Sequence, residues 1–431
     1  MLLDLREREG LSSFPRYHPQ QQQRSEALPV PDEAITDEIH HHVIEEYNKA
    51  FVECQDHPGK AHRAHILTSA QQEVLDQYNT YSLSHVSRII DTAAREAFRS
   101  RIFNDRCRLD GRVPSQVRPL RAETSVLPGD VHGSALFERG DTQVLAHATI
   151  GLLARAAKVE EYIDGADQRP FFVHYSFPSY ATGEPGGPST FSSRREVGHG
   201  ALAEDAIAPV LESCPYALRV SAEVLASDGS SSMAAVCADS MALRDAGARI
   251  TQDVAGVAMG LVTDGDEEII LTDILGVEDH YGEMDMNVKG TREGIAACQL
   301  DTKHPERLSE QTLKEALSQA RKAHEHILDH MQGQQAQCMP YHASRVAEVQ
   351  VEINGVRTLL RDRGAFLRDI KERKVSKLLY DPRKQVVSVE APNEEAEQRA
   401  CKPVSQAVGD LKLGVKVDAN VEEARQSSAV V

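Results

Sequence analysis

A strand that runs through a hydroxyl-rich turn straight into a helix constrains this chain more than any other feature. Leu218, Val220, Ala222 and Val224 alternate with the period of two that a half-buried strand requires. Ser227-Asp228-Gly229-Ser230-Ser231-Ser232 follows. Met233, Val236, Cys237, Met241 and Leu243 then recur at helical spacing up to Gly247, a residue suited to a helix C-cap. The pattern predicts a helix whose first turn carries three hydroxyls. Open backbone N–H groups and the positive end of the helix dipole converge there, so a phosphate is the guest such a seat favours. Ser and Asp ahead of a helix also serve as plain caps. Asp279 and Asp285 further on favour the functional reading, because a phosphate seat near a carboxylate pair suits metal-assisted phosphoryl chemistry.

Composition narrows the setting. The chain has 431 residues, enough for two or three domains, and no apolar run long enough to span a bilayer. The N-terminus carries Asp4, Glu7 and Glu9 and no apolar signal core, which argues against secretion. Seven cysteines without C-x-x-C spacing predict reduced thiols rather than a disulfide frame or a zinc site. A net charge of −18 repels nucleic acid, so any RNA contact has to use a local basic patch or a bound cation.

Residues 1–31, with the Gln20–Gln23 run, predict a disordered start, and 32–107 an all-helical domain with Ile35, Ile39, Val43, Ile44 and Tyr47 on one face of its first helix. The pattern changes after Arg108-Leu109-Asp110-Gly111-Arg112. Residues 108–333 predict an α+β core that includes a strand over Val144–Ile150, a hairpin turning at Asp264-Gly265, and a long helix from Ser309 to Met331. A smaller α/β module over 343–413 and a disordered acidic tail over 414–431 complete the chain.

Several longer strings carry a resemblance: Arg118-Pro119, His132 to Gln143 (HGSALFERGDTQ), His174-Tyr175-Ser176-Phe177-Pro178, Arg194-Arg195-Glu196-Val197-Gly198-His199-Gly200, the serine turn, Thr272-Asp273-Ile274-Leu275-Gly276 and Glu278-Asp279-His280. In this order they resemble the RNase PH family, and within it the second catalytic core of the polynucleotide phosphorylases, over about residues 32–413. The resemblance implies a ββαβα core assembled into a ring around an RNA channel. It also implies 3′ to 5′ phosphorolysis of RNA to nucleoside diphosphates, with inorganic phosphate as co-substrate and Mg²⁺ or Mn²⁺ as cofactor. Carried over by position, Ser230, Ser231 and Ser232 hold the phosphate. Arg194 and Arg195, with His199 beside them, face the RNA. Asp279 and Asp285 bind the metal. The family's compartments are the cytoplasm and the organellar matrix.

Four departures stand against the pattern. Asn287 occupies the place of a family lysine; an extended segment would put Lys289 on the same face about 6–7 Å further along, as a weaker substitute charge. Glu283 stands where the family often has Asp. A single core implies a ring of identical chains or a partner chain supplying the other core. The module over 343–413 resembles a K-homology domain whose Gly-x-x-Gly loop reads Arg361-Asp362-Arg363-Gly364, an unfavourable seat for RNA backbone. Together these imply an alternative, a catalytically impaired paralogue acting as a structural or RNA-scaffolding subunit.

Overall fold

The computed structural model describes residues 28–56, 59–128, 131–152, 157–161, 165–183, 194–212, 216–265, 267–303, 308–335, 345–350, 377–381, 386–391, 395–396 and 398–402. Residues 1–27 of the expected disordered start, the expected disordered tail, the segment just before Arg194 and the Arg361–Gly364 loop lie outside them. The chain divides into two compact units, Met1–Val113 and Pro114–Val431. No helix among the described residues is long and apolar enough to cross a membrane.

Three helices build the first unit: α1 (Glu33–Asp56), α2 (Lys60–Gln77) and α3 (Leu83–Asp105). Asp32 caps α1 by accepting the Ile35 N–H at 2.9 Å. Of the apolar stripe on α1, Ile39, Val43 and Tyr47 are buried. They continue through Phe51, whose ring meets Tyr47 and Phe98 edge-on at 5.7 and 6.5 Å.

The second unit stacks two sheets around one helix. The first sheet has the order β1-β2-β3-β7-β6, from β1 (Leu120–Thr124), β2 (Gly133–Arg139), β3 (Thr142–Leu152), β6 (Phe171–Ser176) and β7 (Tyr216–Ala226). Strands β4 (Ala157–Glu161) and β5 (Gly165–Arg169) form a separate pair. The alternating residues of β7 face those of β3: Leu218 pairs with Ile150, Val220 with Ala148, Ala222 with Ala146 and Val224 with Val144. All eight are buried. Strand β6 runs parallel to β7, and the crossover between them carries helix α4 (Arg194–Ile207).

Helix α5 (Ser231–Asp245) packs against β2, β3 and β7 on one side and the second sheet on the other. Every residue of it except Arg244 is buried. Gly247 follows with φ +74°, as its place after the helix requires.

The second sheet has the order β11-β10-β8-β9, from β8 (Ala255–Asp264), β9 (Glu267–Thr272), β10 (Met284–Gly290) and β11 (Ile295–Thr302). The short helix α6 (Gly276–Tyr281) lies between β9 and β10, and α7 (Glu310–Gln335) packs on β8 and β9. Asp264 still pairs with Glu267, so the expected hairpin turn shifts by one residue and Gly265, at φ +59°, opens it. Helix α7 runs four residues past Met331, with Ala320, Ile327 and Met331 buried. Strands β12 (Arg345–Gln350), β13 (Lys377–Asp381) and β14 (Val386–Ala391) form an antiparallel sheet of order β12-β14-β13.

A buried ionic cluster crosses this second unit. Asp273, fully buried at φ +58°, accepts the backbone N–H and Nε of Arg118 on one oxygen at 2.9 and 3.0 Å, and a terminal guanidinium N–H of Arg118 on the other at 2.7 Å. Arg139 donates to the same carboxylate at 3.3 Å and to the Gly256 carbonyl at 2.7 Å. Replacing Asp273 by Asn leaves two buried guanidiniums without their counter-charge, and a loss of about 3–5 kcal/mol in urea unfolding is expected. A loss below about 1 kcal/mol contradicts the cluster's role.

His324 on α7 is buried, with Nε2 donating to the Val288 carbonyl at 3.0 Å. Burial above all, aided by the charge of Arg139, lowers its pKa to about 4. The unfolded chain therefore binds a proton below about 6.5 that the folded chain refuses until about 4. Stability is complete above pH 6.5 and falls by about 3 kcal/mol as pH drops to 4. His324→Gln, which keeps a donor, flattens that part of a pH-dependent denaturation series; an unchanged slope counts against it.

Candidate active site

The serine turn owes its shape to backbone that only glycine tolerates. Gly229 has φ +87°, and a Cβ there would lie 2.4 Å from the Gly276 backbone nitrogen. That approach joins the turn to the loop that starts α6. The Gly276 N–H donates to the Asp228 carbonyl at 3.1 Å, and Arg118 donates to the same carbonyl at 3.0 Å. Thr142 completes the clamp: its hydroxyl accepts the Asp228 N–H and donates to the Gly229 carbonyl, each at 2.9 Å.

The three serines stand at the head of α5 as expected, yet their hydroxyls differ. Ser230 is the N-cap in a left-handed conformation (φ +58°), and its hydroxyl donates to the Ile274 carbonyl at 3.0 Å. Ser231 accepts a hydrogen bond from the Tyr175 hydroxyl at 2.9 Å. The Met233 and Ala234 N–H groups both turn onto the Ser230 carbonyl, so the Ser231 and Ser232 N–H groups form the open end of the helix. The alternation and spacing located this seat, but no sequence signal separated the three hydroxyls.

Arg194 and Arg195 lie exposed in the first turn of α4. The Arg195 guanidinium stands 4.8 Å over the Phe177 ring, which stacks on Tyr175 at 6.4 Å. His199 touches Tyr175 edge-on at 5.3 Å. Burial lowers the His199 pKa to about 4, helped by the charges of Arg195 and Lys289, so the ring is neutral at pH 7. A neutral ring offers an anion no charge, so the positive charge in this part of the site is that of the arginines.

Asp279 lies on α6 and Asp285 on β10, between Gly260 of β8 and Asp301 of β11. Burial, then the charge of Asp279, pushes the Asp285 carboxyl up to about 6; Asp301 adds to this, while Asn287 and Lys303 oppose it. Asn287 donates to Asp285 at 3.1 Å. Lys303, which sequence reasoning did not single out, donates to the Asp279 carbonyl at 2.6 Å and pairs with its carboxylate at 3.5 Å. Its lone position two residues past Asp301 carries no motif that could have marked it. Glu283 serves the sheet instead, accepting the Thr263 N–H at 2.8 Å.

Lys289 shares the β10 face with Asp285 and Asn287, as the extended reading requires, but it is fully buried. Its ammonium has no hydrogen-bond partner among the described residues. Burial lowers its pKa, with Cys298, Asp205 and Asp285 pulling the other way. The side chain is therefore enclosed and does not reach outward.

Among the described residues no group of three or more His, Cys, Asp and Glu side chains is placed to hold a metal ion. Two carboxylates that already repel each other nonetheless suit a hard cation completed by water and phosphate oxygens, the usual arrangement for Mg²⁺.

Residues 116–249 match the 3′ exoribonuclease family, domain 1, the RNase PH domain. The chain is 39% identical to polyribonucleotide nucleotidyltransferase 2, mitochondrial, of Arabidopsis thaliana over 395 residues, covering 86% of this chain and 39% of the relative. It is 45% identical to the polyribonucleotide nucleotidyltransferase of Rubrobacter xylanophilus over 305 residues, 68% of this chain and 43% of the relative. The Salinibacter ruber enzyme of the same name is 38% identical over 362 residues, 81% of this chain and 50% of that one. The solved structure of rice (Oryza sativa) Rrp46 aligns with a TM-score of 0.41 at 21% identity, over 52% of this chain and 98% of that one. This chain thus spans half or less of the length of these curated relatives. Over the length it shares with them, the chain is similar to the polyribonucleotide nucleotidyltransferases, and residues 116–249 carry the RNase PH domain.

Proposed function

We propose that this chain is a phosphorolytic 3′ to 5′ exoribonuclease, a polyribonucleotide nucleotidyltransferase that shortens RNA with inorganic phosphate. One observation supports the reading above others: Ser230 bonds Ile274 and Gly229 packs on Gly276, so the anion seat and the loop bearing Asp279 are one structure.

In this reading phosphate docks on the open N–H groups at the head of α5 and on the Ser231 hydroxyl. Arg194 and Arg195 hold the RNA phosphates by forked, charge-assisted hydrogen bonds. A phosphate oxygen attacks the phosphorus of the 3′-terminal linkage. The bond from that phosphorus to the preceding 3′ oxygen breaks, a nucleoside diphosphate leaves, and the shortened RNA keeps the 3′ oxygen as a hydroxyl. No protein nucleophile is needed. Asp279 and Asp285 would hold Mg²⁺ or Mn²⁺, which when bound offsets charge at the reacting phosphodiester. Lys289 supplies a positive charge below Asp285, and Lys303 one beside Asp279. The reaction is reversible, because the bond formed resembles the bond broken.

RNA is the polymer partner. A ring of identical chains, or one completed by a second chain with another core, encloses it. The cytoplasm or an organellar matrix is the setting, as the mitochondrial name of the Arabidopsis relative suggests.

Purified protein incubated with oligo(A), Mg²⁺ and inorganic phosphate is expected to release ADP, and none when phosphate is left out. Release of AMP regardless of phosphate, or no product, refutes the proposal. Lys289→Ala is expected to lower the rate of ADP release about 10²-fold, the scale on which a preorganised charge acts. An unchanged rate removes Lys289 from the site.

A further inference from the structure

The three serines of the seat are held by different partners, and that difference assigns them different work. The Ser230 proton is spent on the Ile274 carbonyl. Ser231 receives the Tyr175 proton. A serine oxygen that accepts from a tyrosine keeps its own O–H for a different acceptor, and Ser231 stands at the first position of α5, where the open N–H groups of Ser231 and Ser232 lie. We propose that Tyr175 is a positioning residue that commits the Ser231 hydroxyl to donating toward the attacking phosphate, while Ser230 is a latch between two loops and not a phosphate ligand. The proposal rests on the phosphorolytic reading and deepens it.

The surroundings of Tyr175 suit this task. Its ring is buried, at 2% exposure, on β6. It is held between Phe177, stacked at 6.4 Å, and His199, edge-on at 5.3 Å, so its hydroxyl has little room to swing. Burial pushes its pKa up to about 12, which keeps it a neutral donor across the working range. The same aromatic stack continues to Arg195, 4.8 Å above Phe177. The RNA-facing arginine and the phosphate-facing serine therefore lean on one rigid pair of rings. A seat that offers a pre-aimed O–H beside two N–H donors favours an anion over water. Tyr175 thereby biases the reaction toward phosphorolysis and away from hydrolysis.

The test is a double-mutant cycle on the full chain, with inorganic phosphate as the probe and calorimetric binding as the readout. Tyr175→Phe keeps the ring and removes only the hydroxyl, and is expected to weaken phosphate binding about 5- to 10-fold, the worth of one hydrogen bond. Affinity for oligo(A) without phosphate should stay within about 2-fold, which a merely structural loss would not allow. Ser231→Ala should weaken phosphate binding similarly, and the double variant no further, because Tyr175 acts through Ser231. Ser230→Ala should lower the melting temperature yet keep phosphate affinity within about 2-fold. Additive losses in the double variant, an unchanged affinity in Tyr175→Phe, or a Ser230→Ala variant that loses phosphate overturns the proposal. Tyr175-dependent phosphate binding without ADP release leaves it standing and refutes the phosphorolytic reading. ADP release with phosphate affinity indifferent to Tyr175 does the reverse.

Discussion

Asp273 is held by two arginines where water does not reach, and stretches far apart in sequence meet because of it. Arg118 comes from the segment ahead of β1, Arg139 from the end of β2, and Asp273 from the loop before α6. The other terminal nitrogen of the Arg118 guanidinium donates to the carbonyl of Asp228, inside the serine turn. A buried ion cluster of this kind adds little net stability, because desolvation offsets most of the attraction. Its value here is geometric. Each guanidinium nitrogen of Arg118 points at a fixed acceptor, so the turn bearing the serines and the loop leading to Asp279 cannot drift apart without exposing an unpaired charge in the core.

Around that anchor the two halves of the site are built differently. The serine side is rigid: α5 is packed on nearly every face, its N-cap is bonded to Ile274 and its first turn rests on an aromatic stack. The aspartate side is electrostatically unfinished. Asp279, Asp285 and Asp301 gather negative charge that Lys303 only partly balances. Under the proposed function, a chain of net charge −18 has to bring positive charge to RNA locally, through Arg194, Arg195 and a divalent cation, rather than by the surface as a whole.

Much of this was legible in the residues. The alternation of Leu218 to Val224, the turn and Gly247 marked the β7–α5 unit because strand period, helix dipole and C-cap are local effects. The face shared by Asp285, Asn287 and Lys289 followed from strand geometry alone. Other features depend on distance in sequence. Arg118 and Asp273 are 155 positions apart, and neither a string nor a period links them. The depth of Lys289 was hidden because strand alternation gives the face of a residue and not what covers it. Helix α5 shows an apolar stripe in sequence, yet both its faces are buried; its many alanines fit between two sheets without announcing the fact. The roles of Ser230 and Ser231 split through partners on other elements, Ile274 and Tyr175, which no spacing within the motif encodes.

The central claim is that the hydroxyl seat and the carboxylate pair serve a single phosphodiester. Crystals of the protein grown with Mn²⁺ and phosphate test it directly through the anomalous signal of the metal. The account predicts a manganese ion on Asp279 and Asp285 that shares an oxygen with a phosphate bound to the Ser231 and Ser232 N–H groups. Manganese bound away from both aspartates, or a phosphate on the serines too distant to share a ligand with it, contradicts the account.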